Sequence, residues 1–146
     1  MVEFALVAGI AMIILFVAVQ MAMIGQVALA LGQMNYQGAR YASTHPGCFD
    51  SGACVGADAG KQNIRAYMLS VGSPVFNANS GNLTVSCLPA LVGTTPRAFG
   101  TSIICTASFT LPSTVLFLPN PFMSLYPGFG IKFPTKLNSS ETTMQQ

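Results

Sequence analysis

Glu3 is the only acid in the first 49 residues, and it stands directly before Phe4–Ala39, 36 consecutive residues without a charged side chain. A carboxylate at the edge of so apolar a helix costs several kcal/mol unless it is paired. Two partners suit it: a free N-terminal amine, or the positive end of its own helix, which favours an acid there by about 0.3–1 kcal/mol. The chemistry of Glu3 is therefore ion pairing, either in an assembly or at a membrane surface. The four cysteines offer a second chemistry. Cys48-x5-Cys54 and Cys87-x17-Cys105 match no zinc-site spacing, and no CxxCH haem signature is present. Disulfides in an oxidising compartment fit better. Four cysteines allow three pairings; Cys48–Cys54, closing a short Gly-containing loop, and Cys87–Cys105, joining neighbouring strands on their apolar faces, form the expected set.

Other residue types give less. His45, the single histidine, sits beside Pro46 and reads as a turn residue rather than a general base. Ser70, Ser86 and Ser102 have no His or acid at a recognisable spacing, so no nucleophile is supported. Gly128-x-Gly130 is too short for a phosphate loop. Phe4, Phe16, Tyr36 and Tyr41 lie along the apolar segment as packing groups rather than an electron path. Asn82-Leu83-Thr84 and Asn138-Ser139-Ser140 match the N-glycosylation acceptor pattern, which also arises by chance. The expectation is a protein that is not an enzyme and uses no cofactor or metal.

These residues must be positioned by a long helix and a small domain. No proline precedes Pro46, and Ala, Leu, Met and Gln dominate the first 44 residues. A helix from Val2 to Thr44 would be about 65 Å long, whereas a bilayer core needs only about 20 residues. A cleavable signal would carry a basic start and a shorter apolar run. Small residues recur four apart (Ala5 and Gly9, Ala18 and Ala22, Ala28 and Gly32), a spacing that lets helices approach closely. Further out, Gln26, Ala30, Gln33, Gln37, Arg40 and Thr44 form a mostly polar stripe, beside an apolar face of Val27, Leu31, Met34 and Tyr41. The inner half is thus apolar all round, and the outer half is shaped to lie on its own globular domain.

His45-Pro46-Gly47 ends that helix. Residues 1–45 form the membrane or core helix, and residues 46–146 a single disulfide-stapled domain of about the usual small size. Charged residues are 7% of the chain and the net charge is +2, so no basic patch points to nucleic acid. Within the domain, Ala57, Gly60, Ile64, Tyr67, Met68 and Val71 predict one short helix with Asp58 in its first turn, stopped by Gly72 and Pro74. A turn over Asn77–Gly81 follows. Alternation predicts a strand with Leu83, Val85 and Cys87 on one face, and another with Ile103, Cys105, Ala107, Phe109 and Leu111 inward. The stretches Leu88–Gly100 and Pro112–Pro127 read as connections, and Phe129–Leu137 as a final edge strand around Pro134. The fold class is α+β, a long helix packed against a small antiparallel sheet with one short extra helix.

Val2-Glu3-Phe4-Ala5-Leu6-Val7 before a long apolar run, then Gly38-Ala39-Arg40-Tyr41-Ala42, resembles the TadE-like pilins of tight-adherence systems, a branch of the type IV pilin superfamily. Downstream, the small-residue helix, the Leu-Thr-Val-Ser-Cys strand, the alternating strand ending near Pro112 and the late Gly-Ile-Lys segment extend the resemblance over most of the chain. It implies a subunit made as an inner-membrane-anchored precursor, trimmed by a prepilin peptidase and polymerised helix-inward into an extracellular filament for adhesion. Its partners would be copies of itself and the pilus assembly machinery. The family's acid maps to Glu3, which would meet the amine of a neighbouring chain's Met1, with Phe4 opening the packed apolar run. In the wider superfamily that acid is fifth in the mature chain; here it is third, which points to two further residues upstream or to processing at an unusual position. The alternative is a minor pilin or pseudopilin kept in the membrane for pilus biogenesis, secretion or DNA uptake.

Overall fold

The computed structural model describes residues 2–90, 95–112 and 134–144, and side chains from residue 7 onward. Helix α1 runs unbroken over Val2–Thr44, 43 residues, as a segment without proline and rich in helix formers should. Two carbonyls near its end, Arg40 O and Tyr41 O, are capped. Ser43 Oγ and Thr44 Oγ1 donate to Arg40 O at 2.8 and 3.3 Å, and the His45 amide donates to Tyr41 O at 3.0 Å. Pro46-Gly47 then turns the chain away, and the Cys48 amide donates back to His45 O at 3.1 Å.

Among the described residues three antiparallel strands follow in the order β1-β2-β3, with β1 at Leu83–Leu88, β2 at Ser102–Thr110 and β3 at Lys136–Met144. Leu83, Cys87, Ile103, Cys105, Ala107, Phe109 and Leu111 are buried, as period-2 alternation requires. Register pairs Cys87 directly with Cys105, and these two are disulfide-bonded, as are Cys48 and Cys54. The core between α1 and the sheet joins Leu31, Met34, Ile64, Met68, Phe76, Ile103 and Phe109. Phe76 meets Phe109 edge-on at 4.9 Å. Each such side chain contributes roughly 1.5–3 kcal/mol on burial.

The region between α1 and β1 departs from the expected single helix. Helix α2 begins at Ile64 and ends at Val71; Ala57 and Asp58 lie instead in a 3-10 turn, Gly56–Asp58. Gly60 adopts φ 86°, a conformation that interrupts any helix, and Asn63 caps the new start by accepting from the Ala66 amide at 2.7 Å. The Ile64 and Arg65 amides are satisfied by Phe49 O and Asp50 O of the disulfide loop. A second short helix, α3 at Pro74–Ala78, occupies part of the predicted turn, with proline in its first turn. Among the described residues the domain therefore has two short α-helices rather than one. Helix α2 packs on α1 at Gly38, where a Cβ would stand 2.5–2.8 Å from Met68 Cγ, Sδ and Cε.

β3 also starts later than predicted. Pro134 precedes it rather than lying inside it, and the strand extends to Met144. The first part of the predicted strand, residues 129–133, lies outside the described residues, as do most of the Pro112–Pro127 connection and Gly128-x-Gly130.

Candidate assembly surface

Two halves of α1 behave differently. From Val7 to Met23 most large apolar side chains are exposed: Val7 is 63%, Ile14 64% and Leu15 57% accessible. The segment Val7–Thr44 is long and apolar enough to cross a membrane, so it can serve as an anchor or as a signal sequence. So large an exposed apolar face marks a surface that something else covers. Around Gly9, Gly25 and Gly32 an added Cβ would meet nothing within 4 Å, so the close-approach positions on this helix are open. Glu3 and Phe4 lie in the first turns of this half, with side chains outside the described residues, and Met1 lies outside altogether.

From Ile24 outward, Val27, Leu31 and Met34 are buried on the domain, and Gln26, Gln33, Gln37, Arg40 and Thr44 are exposed. Ala30 departs from that polar stripe and packs at the margin of the core. Sequence reasoning missed Asn35, which is fully buried. Its Nδ2 donates to Cys105 O at 3.1 Å and to Ser139 Oγ at 3.3 Å. Asn35 lies four residues after Leu31 and seven before Ala42, on the arc that faces the sheet, and that spacing was the available signal. Gln20, four before Ile24, is buried on the same arc.

At the outer end of α1, Tyr41 is stacked between His45 and Tyr67, each at 4.1 Å, and its hydroxyl donates to Gln62 O at 2.9 Å. His45 is thus a packing residue of the turn. Asp58, named for the first turn of a helix, is buried and accepts instead from the Gly47 amide at 3.0 Å and from Lys61 Nζ at 3.1 Å. Gly47 must be glycine, since a Cβ there would run into Val55 O and Asp58 Oδ2. Burial pushes the Asp58 carboxyl up, but the Gly47 amide and the Lys61 ammonium, with His45 nearby, outweigh it and hold the group below its ordinary value. The stabilisation is therefore present above the unfolded value of about 3.9 and is lost as pH falls through the lower folded one. Amide exchange over residues 47–61, corrected for its intrinsic pH dependence, should accelerate below about pH 4, and Asp58→Asn should remove that step.

The remaining candidates are dispersed. Asn82 is half-buried at the end of a 3-10 turn, and Asn138 is exposed on the outer face of β3 opposite Ser108. Ser70 Oγ donates to Tyr67 O at 2.7 Å, while Ser86 and Ser102 lie on the outer sheet face. Among the described residues no three His, Cys, Asp or Glu side chains gather as a metal site would require.

The geometry defines an α+β protein whose long helix leaves half its length without cover. Comparison with protein-family models, with curated proteins and with solved structures gives no match to this chain.

Proposed function

We propose that this chain is a structural pilin subunit of the TadE-like type, which polymerises helix-inward into an extracellular filament for adhesion. One observation carries the reading: an unbroken helix whose apolar half is exposed on every side but one, beginning with a lone acid and ending on a compact disulfide-stapled domain. In a membrane that half is solvated by lipid. In a filament, copies of the same helix replace the lipid, and the exposed small residues permit the close contact. The low charge of the domain agrees with a surface largely covered by neighbours.

Cells producing the chain should release filaments on shearing, visible by electron microscopy and made of a protein of this mass. Recovery of the chain solely in the membrane fraction would favour the minor-pilin or pseudopilin role instead.

A further inference from the structure

On the flank of α1 next to β3, Gly32, Gln33, Tyr36, Gln37 and Glu141 line an open trough of about 330 Å³. Glu141 reaches it because register sets it opposite Cys105, whose side chain faces α1. The other carboxylates with described side chains are paired, Asp50 with Arg97 and Asp58 with Lys61. Glu141 has no cation beside it among the described residues. A half-buried carboxylate among neutral amides calls for a cation from outside.

We propose that this trough is a lateral docking site for a second copy of the chain, which presents Lys61 to Glu141. The inference rests on the filament reading. Among the cations with described side chains, charge complementarity and topology select Lys61. Helix α2 covers the other flank of α1, through Met34, Gly38 and Tyr41. At 3.6 residues per turn these positions lie roughly 110° around the helix from Gln33, Tyr36 and Gln37. When all helices run the same way, one flank of a copy meets the other flank of its neighbour, a heterologous contact that builds open filaments. Arg40 lies on the trough's own stripe and faces the same way as Glu141. The Arg65 guanidinium donates to Leu83 O and Ser80 O, Arg97 is buried, and Lys136 points from the far face of the sheet. Lys61 is beside α2, its side chain is 48% exposed, and its ammonium can keep Asp58 while meeting a second carboxylate.

A zero-length carbodiimide tests this on unmodified filaments, since it condenses an ammonium with an adjacent carboxylate to an amide, with loss of one water. Peptide mass spectrometry should find Lys61 joined to Glu141 in filaments and not in detergent-dispersed subunits, with the Lys61–Asp58 product in both as internal control. Glu141→Lys should lower filament yield about tenfold without lowering the membrane-bound subunit pool. Filaments that give the Lys61–Asp58 product but no Lys61–Glu141 product, or that form normally from Glu141→Lys, overturn the docking site alone. A chain that makes no filaments overturns the assembly reading itself.

Discussion

Arg97→Met is expected to destabilise the domain by about 3–5 kcal/mol, more than any substitution on its exposed surface. Arg97 is 7% accessible, and three segments converge on it. Its Nε donates to Pro89 O at 3.0 Å just beyond β1, its Nη1 to Cys48 O at 3.1 Å in the disulfide loop, and its Nη2 lies 3.8 Å from Asp50 Oδ1. Its own amide donates to Pro46 O at 3.2 Å. Burial lowers the guanidinium's hold on its proton and Asp50 offsets part of that, so the cation sits at a cost that its acceptors repay. Removing it leaves the buried Cys48 carbonyl and the part-buried Pro89 carbonyl without their donor, and Asp50, which still accepts from the Cys87 amide, without its cation. Arg97→Lys should not rescue, because a single ammonium cannot reach three acceptors spread around a planar fork. Asp50→Asn should cost less, about 1 kcal/mol, since the ion pair is long and its carboxylate partly exposed. Urea unfolding of the detergent-solubilised chain with both disulfides intact measures all three. An Arg97→Met change under 1 kcal/mol would show that the fork is not what ties these segments together.

What could be read from the sequence follows the range of the forces involved. The extent of α1 was legible because it depends on local signals, the lack of proline and charge and the stop at Pro46-Gly47. The faces of β1 and β2 were legible because apolar residues alternate with hydroxyls there. Arg97 was not, since it lies in a Pro- and Gly-containing stretch that looks like solvent-exposed loop, and its partners are 8 and 49 positions away. The helix predicted from Ala57 failed for a similar reason. Its apolar spacing is genuine from Ile64 onward, but Asp58 is drawn to Gly47, 11 positions back, and Gly60 takes a left-handed turn. β3 hid its alternation because its inward positions after Leu137 are themselves polar. Ser139 accepts from Asn35 and Thr143 Oγ1 donates to Ala39 O at 3.2 Å, so the strand meets α1 through hydrogen bonds that hydropathy does not register. Of the candidate assembly residues, the type and place of Glu3 were plain from sequence. The trough at Glu141 needed the fold, because it joins side chains about 100 positions apart.

Glu3→Gln is expected to abolish filament assembly, or to reduce it at least about tenfold, while the outer domain stays folded and the subunit stays in the membrane. Glutamine keeps the size and most of the helix-forming tendency of glutamate, so any loss reports the charge. Residue 3 lies in the first turn of α1, where the helix dipole favours an acid, and in the proposed membrane-held subunit water at the membrane surface would solvate it. In the proposed assembly the apolar half would pass from lipid to a bundle of like helices, and an unpaired carboxylate carried into that bundle would cost several kcal/mol. An amine at a neighbouring chain's N-terminus would cancel that cost only at one axial position, so the same charge that penalises every wrong register would reward the right one. Glu3→Asp should recover part of the yield, because it retains the charge on a shorter arm. Immunoblots of sheared and cell-bound fractions give the ratio directly. Normal filament yield from Glu3→Gln would mean that register is set elsewhere along α1, by the exposed small residues, and that Glu3 serves only as the helix's N-terminal acid.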